Sequence, residues 1–189
     1  MKHFKELNNL PVYTDLLQQI NQYDFAWRSN QVCINTAPGH ESDTEYGVGS
    51  LVYDWKSSYT EQDEHGNDRV VVPEFAVPKQ EQEFTKVCDV FRGTVFEHIY
   101  TELDKLYVLG RVRLMRSKSK TCLSWHQDTS TRIHYPIKTQ EGCFMLIEDE
   151  VLHLKQHQWY YTNTLPKHTA FNASKEDRLH LVVVVLDER

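Results

Sequence analysis

The sequence lacks the features that define several common classes of protein. No apolar run in its 189 residues approaches the length of a membrane span, and residues 1–6 lack the apolar core of a secretory signal peptide. The formal net charge is −6 at pH 7, so the chain carries no general positive charge that attracts nucleic acid or an anionic membrane. We therefore expect a cytoplasmic protein whose partners include neither nucleic acid nor a membrane.

The four cysteines do not have the spacing of a zinc-binding motif. Cys33, Cys88, Cys122 and Cys143 stand far apart and contain no Cys-x-x-Cys pair. In the expected compartment, free cysteines are reduced thiols that pack as small apolar side chains. We expect reduced, partly buried thiols here.

The composition that remains is typical of a folded domain. Hydrophobic residues make up 40% of the chain and aromatic residues 12%, which argues against disorder. A chain of 189 residues is long enough to bury a good core and short enough to be one domain. We expect residues 1–189 to form a single domain.

The hydrophobic pattern predicts a helical and irregular front over residues 1–108 and a β-rich core over residues 109–189. Apolar residues recur at helical spacing over residues 13–23 and, for longer, over residues 84–106. From residue 109 the period changes to two, which predicts an α+β, mainly β fold. The expected architecture is a double-stranded β-helix, a cupin-like jelly roll, with the N-terminal helices packed on one sheet. Strands are predicted near residues 109–116, 122–128, 132–137, 143–148, 151–155, 158–162, 168–172 and 178–186.

Two histidines and an aspartate follow one another in the order of a metal-binding triad. His126 and Asp128 are two residues apart, so on a strand their side chains share one face, and His168 follows later in the chain. Two imidazoles and one carboxylate hold non-haem Fe(II) and leave positions open for a cosubstrate and dioxygen. A His-x-Asp pair also arises by chance on a surface turn, and His168 follows a Pro-Lys turn, so the later motifs decide between these interpretations.

An arginine lies at the start of the most strand-like stretch of the chain. Arg178 follows His168 by ten residues and shares a face of its strand with His180. A guanidinium group forms bidentate hydrogen bonds with a carboxylate, so Arg178 is a candidate to hold the far carboxylate of a dicarboxylic acid. The alternative is that Arg178 balances the neighbouring Glu176 and Asp177.

A local run of basic residues precedes the triad. It is a candidate contact for an anionic ligand, although a solvated strand end and turn accounts for most of its members. The run comprises Arg111, Arg113, Arg116, Lys118 and Lys120.

Together these motifs resemble the aspartyl/asparaginyl β-hydroxylase family of Fe(II)- and 2-oxoglutarate-dependent oxygenases. The resemblance covers about residues 109–186. It is carried by Arg-Val-Arg-Leu-Met-Arg (111–116), Trp-His-Gln-Asp (125–128), Arg-Ile-His-Tyr-Pro-Ile (132–137), His-Thr-Ala-Phe-Asn-Ala-Ser (168–174) and Arg-Leu-His-Leu-Val (178–182).

The resemblance implies a role for each of these motifs. His126 and His168 match the two histidine ligands, and Arg178 matches the residue that pairs with the distal carboxylate of 2-oxoglutarate. Arg132 and His134 match an Arg-x-His strand that reaches the other end of this cosubstrate. The implied enzyme uses Fe(II), 2-oxoglutarate and dioxygen to hydroxylate a C–H bond, with release of succinate and carbon dioxide. The protein then supplies binding and shielding, and we expect no catalytic residue beyond the metal ligands.

Asp128 bears on the class of substrate. The vertebrate members that name the family have glycine in place of the carboxylate ligand, whereas this chain keeps Asp128 and so resembles the bacterial, small-molecule branch. The polar residues 56–69 are a candidate lid of a size that suits a small ligand. We expect hydroxylation of a free amino acid or a similar small molecule. The alternatives are a peptidyl aspartyl/asparaginyl or prolyl hydroxylase, and a metal cupin that is non-catalytic or independent of 2-oxoglutarate.

Overall fold

The structure is a computed structural model that describes residues 1–53, 59–62, 68–71 and 77–189. Most of the predicted lid over residues 56–69 lies outside the described residues. Its two described pieces pair with each other as a small antiparallel sheet.

Fourteen strands are present in the described part of the chain. In chain order they are β1 (Phe4–Glu6), β2 (Gln31–Cys33), β3 (Asn35–Thr36), β4 (Tyr59–Gln62), β5 (Asp68–Val71), β6 (Lys86–Val87), β7 (Tyr107–Ser117), β8 (Thr121–Cys122), β9 (Thr131–Lys138), β10 (Cys143–Ile147), β11 (Glu150–Leu152), β12 (Tyr160–Thr162), β13 (His168–Asn172) and β14 (Arg178–Glu188). Two open sheets form the jelly roll, and all of their strand pairs are antiparallel. The six-stranded sheet has the order β1-β12-β9-β14-β7-β2, and the four-stranded sheet has the order β11-β10-β13-β8.

Alternation along β7, β9 and β14 gives the six-stranded sheet two different faces. The apolar face packs against helices α1 (Leu16–Ile20) and α2 (Val95–Asp104), which confirms the predicted packing of N-terminal helices on one sheet. The opposite face turns toward the four-stranded sheet and carries most of the polar side chains. The apolar face includes Val112, Leu114, Ile133, Tyr135, Leu179, Leu181 and Val183, and the polar face includes Arg111, Arg113, Arg132, His134, Arg178 and His180.

The helices are shorter than the hydrophobic pattern predicted. The stretch 84–106 is helical only from Val95, and its first half contains β6 and a short 3-10 helix at Asp89–Phe91. The side chain of Thr94 accepts a hydrogen bond from the amide of Phe96 and so defines where α2 begins. The predicted helix over 13–23 is reduced to α1. Among the described residues, neither helix has the length and hydrophobicity to cross a membrane.

The strand predictions overlap all eight observed strands of the C-terminal half. The prediction over 122–128 is wrong for most of its length, because β8 ends at Cys122 and only an isolated bridge from His126 to His168 follows. The predicted state of the cysteines is confirmed, since all four are free and only Cys122 is exposed.

Candidate metal centre

The facing sides of the two sheets enclose a cavity of about 540 Å³. The four-stranded sheet contributes mainly apolar side chains such as Met145 and Ala170, whereas the six-stranded sheet contributes cations and imidazoles. A cavity of this size, with a few convergent polar groups, suits a small molecule. Its lining includes every site residue predicted from the sequence: His126, Asp128, Arg132, His134, His168 and Arg178.

Three potential metal ligands converge at one end of this cavity. His126, Asp128 and His168 each offer a ligand atom, and these atoms lie within 4.8 Å of one another. The Oδ2 atom of Asp128 is 3.5 Å from Nε2 of His168. The described part of the chain contains no other such cluster of three. Two imidazoles and a carboxylate are a donor set that fits Fe(II).

Backbone hydrogen bonds bring the three residues together. His126 donates its amide hydrogen to the carbonyl of His168 at 3.1 Å, and His168 returns the bond at 2.9 Å. The amide of Asp128 donates to the carbonyl of Thr164 at 3.0 Å. His126 and Asp128 therefore reach the same cavity, although the segment that carries them is not the regular strand expected from the sequence.

Both imidazoles are oriented for binding through the same ring atom. The Nδ1 atom of His126 is 2.8 Å from the carbonyl oxygen of Ser124, and Nδ1 of His168 is 3.0 Å from that of Pro166. A carbonyl oxygen only accepts hydrogen bonds, so the proton of each neutral ring lies on Nδ1. This tautomer leaves the Nε2 lone pair free to bind a metal, which is a common arrangement around metal-bound histidines.

Asp128 is ionised at neutral pH. Burial acts to raise its pKa, but contact with His168 and the positive charge of Arg132 outweigh this effect and lower the pKa to about 2. The Nη2 atom of Arg132 lies 3.3 Å from the carboxylate. The carboxylate is thus in the form that binds a cation.

Arg178 is a buried cation that lines the same cavity from the polar face of the six-stranded sheet. The alternative that it balances its neighbours does not match the ion pairs, because Glu176 binds Lys138 at 2.8 Å and Asp177 binds Lys118 at 3.0 Å. Within the described ranges, Arg178 has no carboxylate in ion-pair distance, and its Nε atom is buried without a hydrogen-bond partner. Burial also lowers its pKa. A guanidinium in this state is suited to receive an anion from a ligand.

Two histidines, His134 and His180, lie in contact with each other in this cavity. The family resemblance implies a cosubstrate-binding role only for His134. His180 was expected to share a face with Arg178, and its Nδ1 atom lies 3.4 Å from Nδ1 of His134. Burial and nearby arginines lower the pKa of His134 to about 3, and burial lowers that of His180 as well, so both rings are neutral. One Nδ1–H group donates to the other Nδ1. The two buried Nε2 atoms, which have no partner among the described residues, therefore offer one donor and one acceptor to the cavity.

The basic run before the triad divides between solvent and the cavity: Lys118 and Lys120 are exposed in the turn after β7, as expected, whereas Arg111 and Arg113 are buried. Arg111 and Arg113 are both 6% exposed, and both line the cavity. Arg116 lies over the ring of Trp27 at 4.5 Å, away from the cavity. Side chains alternate between the two faces of β7, so residues 111 and 113 share one face and residue 116 lies on the other.

Comparison with known proteins identifies a related hydroxylase. A segment of 77 residues is 30% identical to L-proline cis-4-hydroxylase of Rhizobium meliloti (strain 1021). It covers 38% of this chain but only 28% of that relative's length.

Solved structures with a related arrangement include a 2OG-Fe(II) oxygenase family oxidoreductase from Burkholderia pseudomallei and a cupin domain from Bordetella pertussis Tohama I. The first is 9% identical, covers 71% of each chain and has a TM-score of 0.39. The second is 14% identical, covers 40% of this chain and 79% of its own, and has a TM-score of 0.35. Scores at this level do not assign a family.

The assignment rests on a family model instead. The model described as aspartyl/asparaginyl beta-hydroxylase matches residues 35–187, which is most of the chain and includes every residue of the proposed site. The protein therefore belongs to the aspartyl/asparaginyl beta-hydroxylase family.

Proposed function

We propose that the protein is an Fe(II)- and 2-oxoglutarate-dependent dioxygenase that hydroxylates a free amino acid or a similar small molecule. One observation carries this proposal: the same cavity is lined by a three-residue metal-ligand cluster and by a buried arginine that has no carboxylate partner among the described residues. A metal site alone fits many cupins. The buried charge of Arg178 in addition calls for an anionic ligand in the same cavity.

In this proposal, the Nε2 atoms of His126 and His168 and the carboxylate of Asp128 hold the iron. Three ligands on one side leave coordination positions open for the 2-oxo acid and dioxygen. When bound, the iron supplies the oxidative chemistry that couples decarboxylation of the 2-oxo acid to C–H hydroxylation. The chain itself positions the reactants and keeps them from water.

The cosubstrate is held at both ends. Arg178 forms a bidentate, charge-assisted pair with the distal carboxylate, and the desolvated site strengthens that pair. Arg132 contacts Asp128, so its position beside the triad suits the oxo-acid end. His134 and His180 line the floor close to Arg178 and supply hydrogen bonds along the ligand.

Three features support a small substrate. The cavity is of small-molecule size. Asp128 completes the metal-binding triad, whereas the branch of the family with glycine at this position lacks the carboxylate ligand. One relative is named a hydroxylase of L-proline, a free amino acid.

The test is a screen for succinate release with product analysis by mass spectrometry. The protein is supplied with Fe(II), 2-oxoglutarate and air, and is offered L-proline, the other free amino acids and a set of short peptides. We expect succinate and a product heavier by one oxygen atom with at least one free amino acid. A gain of oxygen on peptides alone would overturn the substrate class, and absence of succinate with every compound would contradict the proposed reaction.

A further inference from the structure

We propose that the guanidinium of Arg113 binds a carboxylate of the primary substrate, so that the substrate is a carboxylic acid held by its carboxylate beside the metal. This inference rests on the proposed function and narrows its substrate class. From the sequence, Arg113 stood out only as one member of the basic run over residues 111–120.

Arg113 is a buried cation that has no ion-pair partner of its own among the described residues. Its Nη1 atom donates to the side-chain oxygen of Gln31 at 2.9 Å and to the carbonyl of Gly49 at 3.0 Å. Its Nε atom is buried without a hydrogen-bond partner, and no carboxylate of the described residues lies within ion-pair distance. Neutral oxygens fix the orientation of the group, and the carboxylate whose charge acts on it, that of Glu81, is bound by Arg111. Burying such a charge is unfavourable, so a site that keeps it is suited to an anionic ligand.

Arg111 shows how a structural arginine is satisfied on the same face of the same strand. Glu81 accepts hydrogen bonds from Nε and Nη2 of Arg111 at 3.0 and 2.6 Å. The Nη1 atom donates to the carbonyls of Gly47 and Gly49 at 2.8 and 2.9 Å. Arg111 therefore has a carboxylate of its own, whereas Arg113, two residues further along, has none in the described ranges.

Strand register separates Arg113 from the anion position at Arg178. Arg113 lies opposite Val182 on β14, and Val182 lies opposite His134 on β9, so these three residues form one row across the floor. Arg178 is four residues from Val182 along β14, which is roughly 13 Å of strand. The two arginines therefore start from separate positions along the polar face, and we assign a different anion to each.

The charges of the cavity lead to the same conclusion. Its described lining contains four arginines and two carboxylates. Glu81 pairs with Arg111 and Asp128 pairs with Arg132, which leaves Arg113 and Arg178. The distal carboxylate of 2-oxoglutarate uses Arg178 in the proposed function, and its other end binds the metal. Arg113 is therefore available to bind a negative charge on the primary substrate.

The experiment compares each free amino acid with its own carboxamide, beginning with L-proline and L-prolinamide. Binding is measured by calorimetry under anaerobic conditions on protein loaded with Fe(II) and 2-oxoglutarate, and turnover is measured in air. We expect at least one acid to bind more tightly than its amide by about 30-fold or more, since removing one member of a buried charge pair is strongly unfavourable.

Substitution at Arg113 then links this preference to the residue. Arg113→Gln is expected to abolish the preference for the acid while the apparent KM for 2-oxoglutarate changes by less than about threefold. Arg113→Lys keeps the charge without the planar fork and should retain part of the preference.

A stability measurement distinguishes a ligand-binding arginine from a structural one. Arg113→Gln removes a buried charge that has no ion-pair partner of its own among the described residues, so its Tm should match or exceed that of the parent. The matched control Arg111→Gln leaves Glu81 buried without its partner and should lower Tm by roughly 6 °C or more. A fall in the Tm of Arg113→Gln equal to that of the control would identify Arg113 as structural and contradict the proposal.

Two further results would also contradict the proposed role of Arg113. If no acid binds better than its amide, or if Arg113→Gln keeps the preference, Arg113 does not bind a substrate carboxylate. Failure of the proposed function is recognised separately, because the parent protein would then take up no iron or release no succinate with any compound.

Discussion

The two proposed histidine ligands are oriented in the same way, each by the backbone carbonyl two residues before it. His126 uses Ser124 and His168 uses Pro166. This local geometry fixes which ring nitrogen faces the metal. The distance between the two rings is set by something else, the pair of backbone hydrogen bonds that joins residues 126 and 168.

Removal of one ligand should therefore weaken metal binding strongly without unfolding the protein. We expect His168→Ala to weaken Fe(II) binding by about 100-fold or more, because only three protein ligands are present. Anaerobic calorimetry measures this change. His153→Ala is the matched control, since His153 also binds a carbonyl through Nδ1, that of Cys143 at 2.7 Å, but lies outside the triad. Equal metal affinity in His168→Ala and the parent would remove His168 from the site.

Arg178 gives a prediction about the cosubstrate. Arg178→Ala should weaken binding of 2-oxoglutarate by about 2–5 kcal/mol, because the distal carboxylate loses a buried partner. The KM for 2-oxoglutarate measures this, with Arg116→Ala as a control on an arginine that lies outside the cavity. Unchanged activity of Arg178→Ala at limiting 2-oxoglutarate would show that the cosubstrate binds elsewhere.

At the residue scale, the sequence predicted which residues line the cavity but not which groups they contact. Motif order predicted that His126, Asp128, His168 and Arg178 would line one cavity. The state of Arg113 could not be predicted, because it depends on Gln31 and Gly49, which are distant in the chain and close in space. The contact of His180 with His134 has the same origin in strand register.

At the scale of elements, a buried ion pair helps to join the front of the chain to the jelly roll. Glu81 lies in a 3-10 helix at Glu81–Glu83 and binds Arg111 on β7. Gly110 permits this approach, because a Cβ atom there would lie 2.8 Å from Oε2 of Glu81 and 2.7 Å from Cγ1 of Val184. Glu81 and Arg111 both line the cavity, and Arg111 also donates to the carbonyls of Gly47 and Gly49.

We expect Glu81→Gln to lower the free energy of unfolding by about 3 kcal/mol, because a buried arginine loses its counter-charge. Glu83→Gln, which affects a more exposed pair with Lys79, is the control and should have a small effect. Burial acts to raise the pKa of Glu81, but hydrogen bonds and charge from Arg111 outweigh it, so the pKa lies below its ordinary value.

This pKa shift sets the pH dependence of the same effect. The stabilisation is fully present above the ordinary pKa of a glutamic acid and is lost as the pH falls through the lowered folded-state value. The difference in stability between parent and Glu81→Gln should therefore shrink in acid, as measured by urea unfolding at a series of pH values. A difference that stays constant down to strongly acidic pH would contradict this role for the ion pair.

The elements themselves were predictable to different degrees. Strand positions followed from alternation of apolar and polar residues, because the six-stranded sheet has one apolar and one charged face. The helix over 84–106 was overestimated because Phe84, Cys88 and Phe91 are buried at helical spacing without lying in an α-helix. Periodicity records which residues are buried, and here turns and a short strand bury them as a helix would.

At the scale of the whole molecule, the charge of the cavity is opposite to that of the chain. The formal net charge is −6, yet the cavity is lined by arginines in excess of carboxylates among the described residues. The negative surroundings repel anions in general, and the positive charges lie where only a ligand that enters the cavity meets them. We propose that residues 1–189 act as one domain around this cavity, as the sequence length suggested.

The most direct test of the proposed reaction is the fate of dioxygen. The Fe(II)-loaded protein is incubated with 2-oxoglutarate and an accepted amino acid under ¹⁸O₂, and both products are analysed by mass spectrometry. We expect one labelled oxygen atom in succinate and one in the hydroxylated amino acid, with neither formed by His168→Ala. Unlabelled succinate, or iron bound at the triad with no succinate from any substrate, would contradict the assignment of this protein as a 2-oxoglutarate-dependent dioxygenase.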